Sequence, residues 1–287
     1  MTRPGKPDAT SQLERAFGVW VRARLPLALA EVALFFLKQA WACLFGALML
    51  AGIILSKALW QADWPLQRYD ALLLYALAIQ IVFLRLGLET WQEARVILLF
   101  HLTGTAMEWF KVGAGSWSYP EPGLFKIMDV PLFSGFMYAS VGSYIARVIR
   151  LFEMRFIPYP PFWATVALAA AIYVNFFAHH FLADVRILLI GGTLVLFWRT
   201  RIWFRAGSRQ ISAPLPLAAF LTSLSLWVAE NIGTTTGTWL YFGQTPDQLV
   251  SFAKIGSWYL LIYVSFVTVT LASREALHPG DKARTRP

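Results

Sequence analysis

The sequence predicts an all-α, polytopic membrane helix bundle of about eight transmembrane helices in two parallel four-helix repeats. Of the 287 residues, 57% are hydrophobic and only 14% are charged, whereas soluble domains contain about 25% charged residues. Apolar stretches follow one another from Gln39 to Ala272, each near the length of about 20 helical residues that crosses the hydrocarbon layer. A polar motif that occurs twice indicates the repeat.

Eight segments are predicted to span the bilayer, namely 39–59, 69–84, 95–112, 127–149, 161–182, 185–203, 214–232 and 255–273. The segment before them lacks the apolar region and cleavage site of a signal peptide, so we expect it to be retained. Its later part mixes apolar residues with Glu31 and Lys38, as an amphipathic helix on a membrane would. The predicted organisation is a cytoplasmic tail with this helix (1–38), two membrane repeats (39–156 and 157–274) and a cytoplasmic tail (275–287).

The net charge of +9 is explained by membrane topology and not by nucleic-acid binding. With the N-terminus inside, 18 of the 25 lysines and arginines fall in predicted inner segments and 6 in outer segments. This bias follows the positive-inside rule. We therefore expect a multi-pass protein of the bacterial inner (plasma) membrane, with both termini in the cytoplasm.

A Glu-x6-Gly-x-Trp-x-Tyr motif occurs at the predicted outer ends of the third and seventh spans, as EWFKVGAGSWSY and ENIGTTTGTWLY. The matched pairs are Glu108 with Glu230, Gly115 with Gly237, Trp117 with Trp239, and Tyr119 with Tyr241. Because four spans separate the copies, they have the same orientation, as parallel repeats about the membrane normal would. Repeats of this kind usually enclose a site.

Ionisable residues cluster in the outer halves of three predicted spans, which points to function because such residues are costly in a bilayer. The candidate catalytic residues are Glu108, Glu230, His101, His179, His180 and Asp184. The candidate substrate-binding residues are Asn175, Arg186, Asn231, Trp117, Tyr119, Trp239 and Tyr241. Two alternatives stay open: the acidic residues can snorkel to the interface, and the four aromatic residues fit an interfacial belt, which we favour for them.

No metal or cofactor is predicted. His179 and His180 are adjacent, so on a helix they project about 100° apart and rarely reach one ion. The chain also lacks the glycine-rich phosphate loop, the Gly-x-Ser-x-Gly elbow and the His-Glu-x-x-His motif of soluble enzymes.

The runs FHLTGTAMEWFKVGAGSWSYPE, DVPLFSGFMYASVGSYI, NFFAHHFLADVR and AENIGTTTGTWLY resemble the bacterial membrane family known as domain of unknown function 817. The resemblance implies the membrane architecture and no activity. A weaker likeness is to membrane carotenoid cyclases and hydratases, in the order Glu108, Gly115, Trp117, Pro131 and Leu132. Those cyclases have paired acidic residues after Pro-Leu, where this chain has Phe and Ser.

Two functions are predicted, with membrane lipids and a lipophilic or anionic small molecule as partners. The first is an intramembrane enzyme that acts on a lipid or isoprenoid by acid–base chemistry from the outer half of the membrane, through Glu108 and Glu230. The alternative is a proton-coupled or anion transporter with its site between the repeats and Arg186 as anion partner. A scaffold is a third possibility, but it leaves His101 unexplained.

Overall fold

The computed structural model describes residues 18–21, 23–61 and 63–272. The C-terminal tail predicted at 275–287 and most of the N-terminal tail lie outside these residues. Nine helices make up most of the described chain: α1 (Leu27–Ala42), α2 (Leu44–Leu59), α3 (Arg68–Arg85), α4 (Trp91–Gly113), α5 (Ser134–Leu151), α6 (Phe162–Ala178), α7 (Arg186–Phe197), α8 (Leu215–Thr235) and α9 (Ala253–Ala272). The predicted predominance of helix is confirmed.

Seven short strands connect the helices: β1 (Trp117–Ser118), β2 (Lys126–Ile127), β3 (Val130–Pro131), β4 (Arg155–Ile157), β5 (Arg201–Arg205), β6 (Gln210–Pro214) and β7 (Leu240–Tyr241). They form three antiparallel sheets, β1–β7, β2–β3 and β4–β5–β6. All three sheets lie at the ends of the helices and not in their midst.

Several predicted boundaries are wrong. The span 127–149 begins with the β2–β3 hairpin, because Met128 and Asp129 take positive φ angles of 50° and 63°, the geometry of a two-residue hairpin turn. The span 185–203 ends as helix at Phe197, and the chain then forms β5, which pairs with β4 and β6. The amphipathic segment continues to Ala42, where α1 meets α2 at a bend of 63°.

The loops after α2, α4, α6 and α8 lie together at one end of the bundle, here named the motif end. β1 pairs with β7 there, Arg68 forms an ion pair with Glu121, and Lys111 contacts the loop after α6 at His180. The loops after α3, α5 and α7 lie at the opposite end, here named the sheet end, which contains β4–β5–β6. Helices α2 to α9 therefore alternate in direction.

A fully buried ion pair fastens the sheet end. Arg147 on α5 donates to Glu89, in the loop after α3, at 2.7 Å, and both side chains are fully buried. Gln80 and Ser143 donate to the same carboxylate. Burial raises the pKa of Glu89, while the Arg147 guanidinium opposes that rise. Losing Arg147 alone would therefore leave a buried carboxylate without its cation.

Two of the described helices, α8 and α9, are long and apolar enough to cross a membrane, and a third span results if bent α1–α2 counts as one. Helices α6 and α7 are apolar but shorter, with 17 and 12 residues. These helices indicate membrane association. The predicted eight-span bundle is not supported by length and composition.

Candidate functional site

Both copies of the repeated motif end a helix in the same way. Gly115 follows α4 and Gly237 follows α8, with φ angles of 70° and 64°. In each copy the glycine N–H and the next N–H donate back into the last helical turn, which is the Schellman motif that favours glycine in the left-handed region. The turn directs the following Trp and Tyr back towards the glutamate of the same copy.

Glu108 is buried and accepts three hydrogen bonds from aromatic side chains. Trp117 Nε1 and Tyr119 Oη donate to Glu108 Oε2, each at 2.8 Å. Tyr138 Oη on α5 donates to Oε1 at 2.6 Å. The side chain of Tyr138 reaches Glu108 across Gly104, where a methyl group would overlap the tyrosine ring.

Glu230 repeats two of these three contacts. Trp239 Nε1 donates to Glu230 Oε2 at 3.3 Å, and Tyr241 Oη donates to the same oxygen at 2.6 Å. No third hydrogen bond to Glu230 is found among the described residues, but a cation lies nearby: Lys254 Nζ is 3.9 Å from the centroid of the Tyr241 ring, and its charge acts on Glu230. The two glutamates thus share a local pattern and differ in one neighbour.

The two copies are joined directly to each other. In the β1–β7 pair, Trp117 lies opposite Tyr241 and Ser118 lies opposite Leu240. The rings of Trp117 and Tyr241 also meet edge to face, with centroids 5.9 Å apart. Since Tyr241 donates to Glu230 and Trp117 donates to Glu108, this contact links the two carboxylates through their donors.

One cavity of about 870 Å³ has both glutamates in its wall. Its polar end also contains Tyr138 and Lys254. From there it runs between α1, α2, α5, α8 and α9 to the sheet end, past apolar residues that include Phe156 on β4 and Phe204 on β5. The aromatic residues of both motifs line this cavity and contact the glutamates. Their role is therefore not limited to an interfacial belt.

A second polar cluster lies beside the cavity at the motif end, around the buried side chain of Lys111. Lys111 Nζ lies 3.4 Å from His179 Nε2 and 3.1 Å from His180 Nε2. The histidines converge because α6 ends at Ala178, so both rings belong to the turn after it and lie 4.3 Å apart. The expectation that the two side chains diverge along a helix is therefore wrong.

Asp184 and Arg186 form an ion pair of 3.2 Å in the loop after α6. Asn175 donates to Asp184 at 3.1 Å. Burial alone would raise the pKa of Asp184, but the hydrogen bonds of Asn175 and of the Arg186 N–H, with the guanidinium charge, hold it below its ordinary value. The residues that line the cavity do not include His179, His180, Asp184, Asn175 or Arg186, so the structure does not bring these candidate residues together with the two glutamates.

His101 and Asn231 also lie away from the cavity wall. The His101 ring packs on Phe136, with centroids 4.6 Å apart, and its buried Nδ1 has no hydrogen-bond partner among the described residues. Asn231 donates to the Trp227 carbonyl and accepts from the Val250 N–H, so it fixes the loop before α9. Neither side chain meets the two glutamates.

Sequence reasoning missed Tyr138, Lys111 and Lys254 as site residues. Tyr138 and Lys254 lie outside the motifs, and Lys111 occupies an unspecified position within the first copy. The importance of each comes from a partner on another element of the fold. An unpaired lysine within a predicted span was the one available signal for Lys111. Among the described residues no group of three or more His, Cys, Asp or Glu side chains is placed to hold a metal ion.

The fold and the site define a class of protein: a helical bundle in which two glutamate–aromatic motifs lie at one end of an apolar cavity. The chain belongs to the family described as "Protein of unknown function (DUF817)", whose model matches residues 31–266. The resemblance to this family is thereby confirmed.

Two individual proteins are similar to the chain. It is 44% identical over 243 residues to "Uncharacterized protein YoaT" of Bacillus subtilis (strain 168), covering 84% of this chain and 91% of that protein. The crystal structure of a cross-linked MvINS trimer aligns with 64% of this chain and 95% of its own, at 12% identity and a TM-score of 0.47. A similarity at that level carries no argument about function, and the likeness to carotenoid cyclases gains no support.

Proposed function

We propose that helices α2 to α9 form a membrane-embedded bundle of two parallel four-helix repeats, in the plasma membrane and with the sheet end towards the cytoplasm. Two facts support this arrangement: the helices alternate in direction, and the two motif copies make matching contacts. Large apolar side chains face outwards on many helices, among them Leu55, Leu74, Leu98, Val174, Leu188 and Leu217. A water-soluble bundle would bury such side chains.

Cysteine labelling tests this topology. In a Cys43→Ser background, Ser118→Cys at the motif end should react with a membrane-impermeant maleimide in intact cells. Gln210→Cys at the sheet end should react only after permeabilisation. Equal labelling of both positions in intact cells would contradict the proposed orientation.

For function, we propose that the cavity binds a lipid or isoprenoid on which Glu108 and Glu230 act as general acid and base. The observation that carries this proposal is the combination of a long apolar cavity with two carboxyl groups at one end. Its volume of about 870 Å³ lies in the range of small-molecule sites. A pair of carboxyl groups can move a proton to and from a bound substrate when both lie within hydrogen-bond reach of it.

The neighbours of the two glutamates favour different roles. Lys254, whose Nζ lies 3.9 Å from the centroid of the Tyr241 ring, places a positive charge near Glu230, so we assign Glu230 as the base. Glu108 is surrounded by three neutral donors and by the charge of Glu230, so we assign it as the acid. Tyr119, Tyr138 and Tyr241 orient the carboxyl groups and are positioning residues.

Lipid analysis of the purified protein tests the binding step. Ala218 lines the cavity, so Ala218→Trp should fill it and abolish co-purification of the bound lipid. Ala171→Trp, on the exposed face of α6, is the matched control and should retain that lipid. Equal lipid content in both variants and the parent would refute binding in the cavity.

The chemical step is tested by comparing lipid extracts of a deletion strain that expresses the parent chain, Glu108→Gln or Glu230→Gln. The parent should restore the lipid profile, and neither variant should. Folding is checked by the yield of each variant in the membrane and by its thermal unfolding. Restoration by both variants would refute acid–base chemistry at these residues.

Transport is the second candidate, and the direct β1–β7 link between the two motif copies favours it, because transporters built from repeats place their site between them. Vesicles containing the purified protein and a pH-sensitive dye separate the two proposals. Proton flux that depends on Glu108 and Glu230 supports transport. Vesicles that carry no flux but contain converted lipid support the enzyme.

A further inference from the structure

Lys111 is a buried cation whose contacts with the described residues include no compensating carboxylate. It is 2% exposed, and its Nζ contacts two imidazole nitrogens and lies 4.4 Å from the centroid of the Phe176 ring. The ion pairs of the described residues do not include Lys111. Because burying an unpaired charge is costly, this arrangement calls for an anion.

The surrounding charges also favour an anion. Lys254 and Arg186 both act on Lys111 with the same sign, and the opposing charge of Asp184 is already paired with Arg186. His180 Nε2 lies 3.1 Å from Ser116 Oγ as well as from Lys111, so four polar groups meet at one point: an ammonium, two imidazoles and a hydroxyl. Lysine is a common phosphate-binding residue, as a point charge.

The cluster adjoins the cavity of the proposed function. Phe176 lines the cavity, and Lys111 Nζ also lies over its ring. Ser116 directly precedes Trp117, which also lines the cavity, and Lys254 lies in the cavity wall. A ligand whose apolar part occupies the cavity would therefore present its head group to these cations.

We propose that Lys111, His179, His180 and Ser116 form a binding site for the phosphate group of an amphipathic ligand whose apolar chain occupies the cavity. This inference rests on the proposed lipid-binding function and adds the class of head group to it. The Lys111 ammonium supplies the positive charge of this site, and the Ser116 hydroxyl can donate a hydrogen bond to a phosphate oxygen. Asp184, Arg186, Lys254 and Glu230 are the other charged groups near these residues.

The test uses the full chain in non-ionic detergent with three probes: dioleoyl phosphatidic acid, dioleoylglycerol and inorganic phosphate. The two lipids have the same chains and differ in the phosphate. The parent protein should prefer phosphatidic acid by about tenfold or more, which corresponds to one hydrogen bond with a charged group. Lys111→Met, which keeps the length of the side chain, should remove the preference while dioleoylglycerol still binds.

Lys111→Met can fail to fold because the side chain is buried, so His180→Asn, in the exposed loop, serves as the second variant and should weaken the preference. Equal binding of the two lipids by the parent protein would overturn the phosphate site and leave the proposed function standing. Failure of both lipids to bind would overturn both. Binding of inorganic phosphate that depends on Lys111, without any preference between the lipids, would overturn the lipid as the source of the phosphate.

Discussion

The tyrosines of the two motif copies should differ in their contribution to stability, although they occupy matched positions. Tyr119→Phe and Tyr241→Phe each keep the ring and remove the hydroxyl that donates to a glutamate. Glu108 would retain donors from Trp117 and Tyr138. Glu230 would retain only the Trp239 contact of 3.3 Å among the hydrogen bonds of the described residues.

A hydrogen bond contributes about 0.5–1.5 kcal/mol between neutral groups, as proposed for the acid Glu108, and about 1.5–3 kcal/mol to a charged group, as proposed for the base Glu230. We therefore expect a loss of about 1.5 kcal/mol for Tyr119→Phe and about 3 kcal/mol for Tyr241→Phe. At roughly 2–4 °C per kcal/mol for a chain of this size, Tm should fall by about 3–6 °C and about 6–12 °C. Thermal unfolding of the purified proteins in one detergent, followed by far-UV circular dichroism, measures both values.

Tyr173→Phe is the matched control, because the Tyr173 hydroxyl makes one exposed contact of 3.4 Å with the Thr103 carbonyl. Its loss should stay within about 0.5 kcal/mol. The reasoning is refuted if Tyr119→Phe costs as much as Tyr241→Phe, or if both variants unfold with the control.

The same measurement tests three other features of the fold: the turn at Gly115, the ion pair of Arg147 at the sheet end, and the close packing at Gly104. Gly115→Ala should destabilise the protein by about 1–2 kcal/mol because its φ is 70°, whereas Gly113→Ala in the last turn of α4 should be neutral or stabilising by up to about 1 kcal/mol; equal effects would contradict the turn geometry. Arg147→Met should cost about 3–5 kcal/mol by leaving Glu89 buried without its cation, and adding Glu89→Gln should recover part of that loss. Because the pKa of Glu89 is raised in the folded protein, its protonated form is favoured there, so the Arg147→Met penalty should be smaller at about pH 5 than at about pH 8; a larger penalty at low pH would refute this. Gly104→Ala should destabilise the protein by displacing Tyr138 from Glu108, and a change below about 0.5 kcal/mol would show that the tyrosine can move freely.

The sequence predicted those features that local spacing determines. In both copies the Trp and Tyr lie nine and eleven residues after the glutamate, and a single helix-ending turn at glycine brings them back to it. A contact of this kind depends on few residues, so its signature repeats intact in the sequence. The long apolar helix α8 was predicted well for a similar reason, since its limits follow from hydropathy.

Tertiary contacts account for most of what the sequence did not predict. Arg199 and Arg201 interrupt the apolar run after Phe197, but their presence does not predict a strand. The strand β5 depends on pairing with β4 and β6 on both sides. The convergence of His179 and His180 depends on the end of α6 at Ala178 and on Lys111 from α4. Periodicity within one helix contains no information about such a partner.

The difference between the two motif copies bears directly on the proposed chemistry. Glu108 accepts a hydrogen bond from the hydroxyl of Tyr138, whereas Glu230 is influenced by the nearby charge of Lys254. Two identical carboxyl groups in one cavity would compete for one proton without a fixed direction. A cation near one of them and a neutral donor beside the other remove that symmetry. The repeated motif thus supplies two matched groups, and the residues outside it give them different roles.

Lys254→Met should therefore impair activity as much as Glu230→Gln while leaving the binding of an uncharged lipid unchanged. The lipid extracts measure the activity, and the dioleoylglycerol assay measures the binding. Full activity in Lys254→Met would show that the asymmetry has no part in the reaction.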